Sequence, residues 1–166
     1  MKWKCASCGR EHDGLPLTWV IPEPAPWTAI PQAERAKRGI LGEENCEVDG
    51  KHFFVRGLIH LPIQGSNETF FWNVWVSLSE KNYRRALQMW NSPDRVDEPP
   101  SFGWLCVRLP LYPETQNLHT MVHWRPPGNR PHIEIEPTEH PLAVEQRNGI
   151  TMERVKEIAE FFLHTT

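Results

Sequence analysis

Several features that would assign this chain to a class are missing from its sequence. No apolar run approaches the ~20 residues that a transmembrane helix needs, and the polar N-terminus with its early cysteines is unlike the apolar core of a signal peptide. The 18 Lys and Arg against 21 Asp and Glu give a net charge of −3. The chain therefore lacks the basic excess with which proteins displace counterions from nucleic acid. We expect a cytoplasmic protein with neither a membrane span nor a nucleic-acid partner.

Motifs that identify common enzymes are also missing. The sequence contains no Gly-x-Ser-x-Gly, no His-Glu-x-x-His and no glycine loop of the kind that holds phosphate. An enzymatic function therefore has little support at this level, although a metal-dependent reaction would need no such motif.

What the sequence does contain is typical of one sheet-rich domain. Its 166 residues, 39% of them hydrophobic, are enough for a single core, and the 16 Pro and eight Trp favour strands with stiff connections. We predict an α+β fold with a mainly antiparallel sheet, two or three helices and an N-terminal segment that resembles a zinc knuckle. Within the single domain 1–166 we distinguish this segment (1–16), a Pro-rich wrap with a short helix (17–52), and the sheet and helices (53–166).

Hydrophobic periodicity places the main elements. Alternating or continuous apolar residues predict a central antiparallel pair of strands, followed after an intervening helix by three more strands and a final helix. Ser77 and Glu80 have capping-box spacing before the intervening helix, whose apolar face would contain Tyr83, Leu87 and Trp90. Thr151 would begin the last helix. The predicted strands are 53–61, 70–78, 103–109, 118–125 and 132–136, and the predicted helices are 32–38, 80–90 and from 151 onward.

A metal-binding motif lies near the N-terminus. Cys5 and Cys8 are separated by two residues, Gly9 allows the tight turn that directs both sulfurs to one side, and His12 is close enough to bind the same ion. A closed tetrahedral site needs a fourth ligand, and we prefer Cys46, in a polar stretch, to an apolar-strand cysteine such as Cys106. We therefore predict a zinc site.

Two other interpretations of these cysteines stay open. Because the cytoplasm keeps thiols reduced, Cys5 and Cys8 could be free thiols on a mobile terminus. A redox-active Cys-x-x-Cys is less consistent with the sequence, since that motif normally begins a helix and here Gly9 and a polar turn follow.

A second group of polar residues lies on the hairpin formed by the last two predicted strands. A four-residue turn at 126–129 would place histidines and carboxylates on one face of the sheet. Such groups serve in acid–base or metal chemistry, but they are equally typical of the solvated face of an antiparallel sheet. No nucleophile accompanies them, so we interpret them as solvated. The face consists of His119, His123, His132, Glu134 and Glu136.

Taken in order, a series of short segments resembles the bacterial domain-of-unknown-function family 2199 over nearly the whole chain. The segments are Cys5-Ala-Ser-Cys8-Gly9 with His12 and Leu15-Pro16, Cys46-Glu-Val-Asp49, Phe53-Phe54-Val-Arg56-Gly57, Trp75-Val76-Ser77, Phe102-Gly103-Trp104-Leu105, Tyr112-Pro113-x-Thr115, Arg130-Pro131 and His140-Pro141-Leu142-Ala143-x-Glu145-Gln146. The resemblance supports Cys5, Cys8, His12 and Cys46 over Cys106 as ligands. Asn73 stands where the family usually has Gly. The resemblance implies a bacterial origin and no activity.

Together these observations favour an uncharacterised bacterial protein that contains structural zinc and acts as a binding or interaction module, with a protein as its partner. One alternative is an immunity protein that neutralises a toxin. Another is a zinc-dependent hydrolase with an open metal position, which three protein ligands without Cys46 would leave.

Overall fold

The computed structural model describes residues 1–165, which form ten strands and five α-helices. The strands are β1 Lys2–Lys4, β2 Glu11–Asp13, β3 Thr18–Val20, β4 Gly39–Leu41, β5 Asn45–Val48, β6 His52–Pro62, β7 Thr69–Leu78, β8 Ser101–Leu105, β9 His119–His123 and β10 His132–Ile135. The helices are α1 Ala25–Thr28, α2 Arg35–Arg38, α3 Glu80–Gln88, α4 Pro141–Asn148 and α5 Met152–His164, with 3-10 turns at Gln32–Glu34 and Pro93–Asp97.

The long hairpin of β6 and β7 is the centre of the fold. Its antiparallel register runs from Phe53 opposite Leu78 to Pro62 opposite Thr69, and the turn between the strands contains Gly65 in the left-handed region. Alternating large apolar side chains, among them Trp72 and Val74, are fully buried. The predicted central pair of strands is thereby confirmed.

Three further strands close this hairpin into a five-stranded barrel. The second half of β7 pairs with β8, β8 pairs with β9, and β9 pairs with β10, all antiparallel. The ring is completed where His132 of β10 pairs in parallel with Leu58 of β6. The remaining edges of the hairpin are covered as well, since β3 runs parallel to the first half of β7 and β5 pairs with the first half of β6.

The helices differ in part from the prediction. Ser79, rather than Ser77, caps α3 by accepting a hydrogen bond from the Asn82 amide at 3.1 Å, because β7 continues through Ser77 to Leu78. Tyr83 is buried and stacks on Phe53 with ring centroids 4.9 Å apart. Leu87, which we expected on the buried face, is exposed.

Other elements depart from the predicted number and bounds. Five helices form instead of two or three, since α1, α2 and α4 are short, and α1 and β3 interrupt the Pro-rich wrap. The strand predicted at 103–109 ends at Leu105. The last helix begins as expected after Thr151, whose hydroxyl caps it. The α+β class with a mostly antiparallel sheet is confirmed, and within 1–165 no helix combines the length and apolarity that crossing a bilayer requires.

The barrel closes at Gly57, which yields the first prediction. A Cβ at this position would lie 2.5 Å from Ile133 Cδ1 and 3.0 Å from the Pro131 carbonyl oxygen, so β10 can approach β6 only against a glycine. We expect Gly57→Ala to lower the free energy of unfolding by about 1–3 kcal/mol through overpacking, as measured by urea denaturation.

The matched control is the same substitution in an Ile133→Ala background, which removes the two closest atoms. There the added methyl group should cost less. An equal cost in both backgrounds would show that the contact with Ile133 is not what excludes a side chain at Gly57.

Candidate metal centre

The N-terminal motif forms the tip of a small hairpin. β1 and β2 pair from Lys2 opposite Asp13 to Lys4 opposite Glu11. Across the connecting loop, the Cys5 amide donates to the Arg10 carbonyl oxygen and the Gly9 amide donates to the Cys5 carbonyl oxygen, both at 2.9 Å. Gly9 has φ +71°, a conformation that glycine adopts without the steric cost of a side chain. The tight turn predicted after the second cysteine is present.

Four side chains converge at this loop. Cys8 Sγ lies 3.3 Å from His12 Nε2, and Cys5 Sγ lies 3.2 Å from Nε2 of His164. One donor atom from each of these four residues lies within 4.8 Å of all the others. We call this group the four-residue cluster.

His164 reaches the cluster because α5 is anchored along its length. Val155, Ile158 and Ala159 are buried, and Phe162 stacks on Trp19 with ring centroids 4.4 Å apart. A polar contact ties the helix to the loop itself, since the Ala6 amide donates to Glu160 Oε1 at 2.7 Å. The last turn of α5 is thereby held against the N-terminal hairpin.

His12 is oriented from the other side. The buried Trp3, its partner across the hairpin, stacks on the imidazole with ring centroids 5.1 Å apart. The Trp3 indole donates to the Gly14 carbonyl oxygen at 3.3 Å. These contacts hold His12 within the hairpin, and no residue of α5 takes part in them.

The structure brings Cys5, Cys8 and His12 together but places Cys46 elsewhere. Cys46 lies in β5 between Leu41 and Phe54 of the neighbouring strands, with 1% of its surface exposed. Burial raises the pKa of its thiol to about 12, so it resists forming the thiolate that a metal requires. The expected fourth position is taken by His164, which is separated from Cys5 by 159 residues.

Cys106 is likewise outside the cluster. It is buried just after β8, and its thiol donates to the Trp104 carbonyl oxygen at 3.2 Å. Burial raises its pKa to about 11. Both cysteines outside the cluster therefore behave as small buried hydrophobic residues.

The donor set of the four-residue cluster suits zinc. Two thiolates and two imidazoles are ordinary zinc ligands, and bond lengths of about 2.0–2.3 Å imply tetrahedral donor separations of about 3.3–3.8 Å. The Sγ–Nε2 distances of 3.2 and 3.3 Å are close to this range. Hydrogen bonds from the Arg10 backbone and then from His12 lower the pKa of the Cys8 thiol to about 7, which favours the thiolate.

The histidine and carboxylate face has the predicted register. His123 lies opposite His132, and Glu134 lies opposite Met121. His123 Nε2 is 2.9 Å from Glu134 Oε1, and His119 Nδ1 is 3.1 Å from Glu136 Oε2. All four of these paired side chains are more than a third exposed, as expected of a solvated face.

One contact on this face involves a residue that the sequence did not single out. The ring of His60, on the neighbouring strand β6, lies edge-on to His132 with centroids 4.4 Å apart. His60 Nε2 and His132 Nδ1 are buried without a hydrogen-bond partner. Burial, with smaller contributions from His132 and Arg125, lowers the pKa of His60 to about 4. Burial likewise lowers the pKa of His132.

These features define an α+β protein with a closed barrel and with a candidate metal centre between the N-terminal hairpin and α5. The chain belongs to the bacterial family described as "uncharacterized protein conserved in bacteria" (DUF2199), which it matches over residues 4–150. The match includes Cys5, Cys8 and His12, whereas His164 lies beyond it. No curated protein and no solved structure matches the chain significantly.

Thiol reactivity should follow this geometry. In folded protein stripped of metal, we expect iodoacetamide at pH 7 to modify the exposed Cys8 much faster than the buried Cys46 or Cys106, because only a thiolate is strongly nucleophilic. Peptide mass spectrometry would give the order. Equal rates for Cys8 and Cys46 would contradict the environments described for these two thiols.

Stability should depend on pH through His60. An unfolded histidine binds a proton below about 6.5, whereas His60 in the folded protein does so only below about 4. Between these values the unfolded state binds more protons at this residue, so the contribution of His60 lowers the free energy of unfolding as the pH falls from 6.5 toward 4. His60→Gln should flatten this dependence in urea titrations.

The matched control is His52→Gln, which removes an exposed histidine from the start of the same strand. Its pH dependence should follow that of the unmodified protein, and any pH effect on the four-residue cluster is common to all three chains. Parallel curves for His60→Gln and the unmodified protein would show that His60 titrates normally.

Proposed function

We propose that this chain is a cytoplasmic bacterial binding module that uses one structural zinc ion to fix its N-terminal hairpin to its C-terminal helix. The observation that carries the proposal is the four-residue cluster, in which donors from residues 5–12 and from His164 lie within 4.8 Å of one another. The zinc ion would be bound by Cys5, Cys8, His12 and His164.

The number of ligands favours a structural ion over a catalytic one. A catalytic zinc generally has three protein ligands and keeps one position for water or substrate, whereas a structural zinc is surrounded by four. Two sulfur and two nitrogen donors would fill a tetrahedral shell. Glu160, the carboxylate that contacts the loop, already accepts a hydrogen bond from Ala6, so it is engaged in joining the helix to the hairpin.

The N-terminal hairpin also has few other contacts that would stabilise it without such an ion. β1 and β2 form a two-stranded sheet that is not hydrogen-bonded to the main sheet, and an isolated two-stranded hairpin is marginally stable in water. Of its residues, only Trp3 and Cys5 belong to the core. In small zinc-dependent elements the metal contributes about 10–16 kcal/mol of apparent binding free energy, which becomes folding free energy.

A binding role, with a protein as the partner, draws support from the barrel surface. Phe102 and Trp104 on β8 are 44% and 41% exposed and lie edge to face, with ring centroids 5.3 Å apart. His119 packs edge-on against Trp104 at 4.4 Å. Aromatic residues are enriched at protein interfaces relative to the rest of the surface, and these three rings lie outside the buried core of the barrel.

Metal analysis of untagged protein tests the proposal. We expect about one zinc per chain by inductively coupled plasma mass spectrometry. In competition with a chelator, His164→Gln and Cys8→Ser should lose zinc more than tenfold faster than the unmodified protein, and their melting temperatures should fall because the hairpin and α5 are no longer joined.

Cys46→Ala is the matched control. It removes a cysteine that lies outside the cluster, so it should retain one zinc per chain even where the lost core volume lowers its stability. Folded protein that binds no zinc would refute the structural role. Full zinc occupancy and unchanged stability in His164→Gln would instead favour a three-ligand site with an open position.

A further inference from the structure

A cleft on the barrel, which contains no residue of the four-residue cluster, is lined by several arginines. Its cavity of about 590 Å³ lies beside the central hairpin, next to β3 and to the turn between β9 and β10. Leu58, Phe71 and Trp90 supply apolar walls, and Arg95, Arg125 and Arg130 supply charged ones. We call this feature the arginine cleft. Its volume is within the range of pockets that bind small molecules, about 300–1,000 Å³.

The cleft carries more positive than negative charge. Three guanidinium groups face one carboxylate, that of Glu44, and Glu44 is already engaged. Arg130 donates to it through Nε and Nη2 at 2.9–3.1 Å and to Asn73 Oδ1 through Nη1 at 2.6 Å. Glu44 is therefore paired with Arg130, and the other two arginines have no carboxylate of residues 1–165 within ion-pair distance.

Arg95 is one of these two, and it is buried. Only 3% of its surface is exposed. Its Nη1 and Nη2 donate to the neutral carbonyl oxygens of Trp90 and Asn129, at 3.2 and 2.6 Å, and its Nε is buried without a partner. Stacking over Trp90, with Cζ 4.8 Å from the ring centroid, offsets part of the loss of hydration. A buried cation with no anionic partner is costly to a fold.

Arg125 is the second arginine of the cleft that has no carboxylate partner among residues 1–165. Its side chain is half-buried, and its Nη1 makes one long hydrogen bond, of 3.4 Å, to the Arg130 carbonyl oxygen. Among residues 1–165 neither Arg125 nor Arg95 forms an ion pair. Two guanidinium groups thus line one cavity with donors that no carboxylate among residues 1–165 satisfies. Such an arrangement is suited to an anion, because guanidinium donors match carboxylate and phosphate oxygens.

We propose that the arginine cleft binds a small organic anion, with its carboxylate or phosphate group against Arg95 and Arg125 and its apolar part against Leu58 and Phe71. This inference goes beyond the proposed structural zinc and does not depend on it. In the complex, the anionic group of the ligand pairs with Arg95, which forms no ion pair with a side chain of residues 1–165.

Calorimetric titration of the full chain with two probes tests the proposal. Phenyl phosphate and benzoate combine a ring with a phosphate or a carboxylate, and benzyl alcohol is the uncharged control. At low salt we expect saturable binding of at least one anion with a dissociation constant in the millimolar range or tighter, and none of benzyl alcohol. Whichever anion binds more tightly identifies the oxyanion that the cleft prefers.

Two arginine substitutions distinguish anion binding in the cleft from non-specific attraction to the charge of the surface. Arg125→Gln should weaken the preferred anion about tenfold, as expected for the loss of one charge-assisted hydrogen bond. Arg108→Gln removes an exposed arginine that pairs with Glu114 outside the cleft, and it should change affinity less than twofold. Circular dichroism would show that both variants are folded.

A third variant predicts a change in the opposite direction. Glu44→Gln removes the cleft's own carboxylate and should tighten anion binding several-fold. Absence of saturable binding by the unmodified protein at millimolar probe concentrations would overturn the proposal, as would equal affinities in Arg125→Gln and Arg108→Gln. A chain that binds the anion but no zinc would refute the proposed metal role and leave the cleft intact.

Discussion

The pairing of β6 with β7 is the interaction on which the rest of the structure depends. Its ten paired positions make it the longest ladder in the described chain, and both outer edges of the hairpin are divided between two partners. On β7 these are β3 and β8, and on β6 they are β5 and β10. The barrel, the extra strands and the cleft between them are therefore all placed by one hairpin, and few backbone groups along it are left free to pair with another molecule.

Patterns among neighbouring residues were sufficient to predict the elements that depend only on those residues. The alternation in β6 and β7, the hydroxyl of Thr151 ahead of an apolar stripe, and the turn at 126–129 each depend on residues that are close together in the chain. The register that faces His123 with His132 followed from the turn alone. The spacing of Cys5, Cys8 and His12 was likewise enough to predict that these three side chains meet.

Long-range geometry could not be obtained in the same way. Closure of the barrel depends on a parallel contact between Leu58 and His132. The sequence around either residue does not predict this pairing. Cys46 was preferred as a ligand because of its polar neighbours, yet in a strand alternate side chains face opposite sides, and β5 directs Cys46 into the core. Nothing in the sequence distinguished His164, since one histidine in the last turn of a helix is common. The arginine cleft combines residues that are far apart in the chain, from Thr18 to Arg130.

The four-residue cluster has a consequence for the order in which the protein can be completed on the ribosome. Cys5, Cys8 and His12 are translated well before His164, and the backbone pairing of their hairpin is local in sequence. His164 follows only after the whole barrel has been translated, and α5 can contact the loop only once the core that supports it exists. Between the translation of His12 and that of His164, the proposed site thus has three of its four donors, and the last turn of α5 adds the fourth.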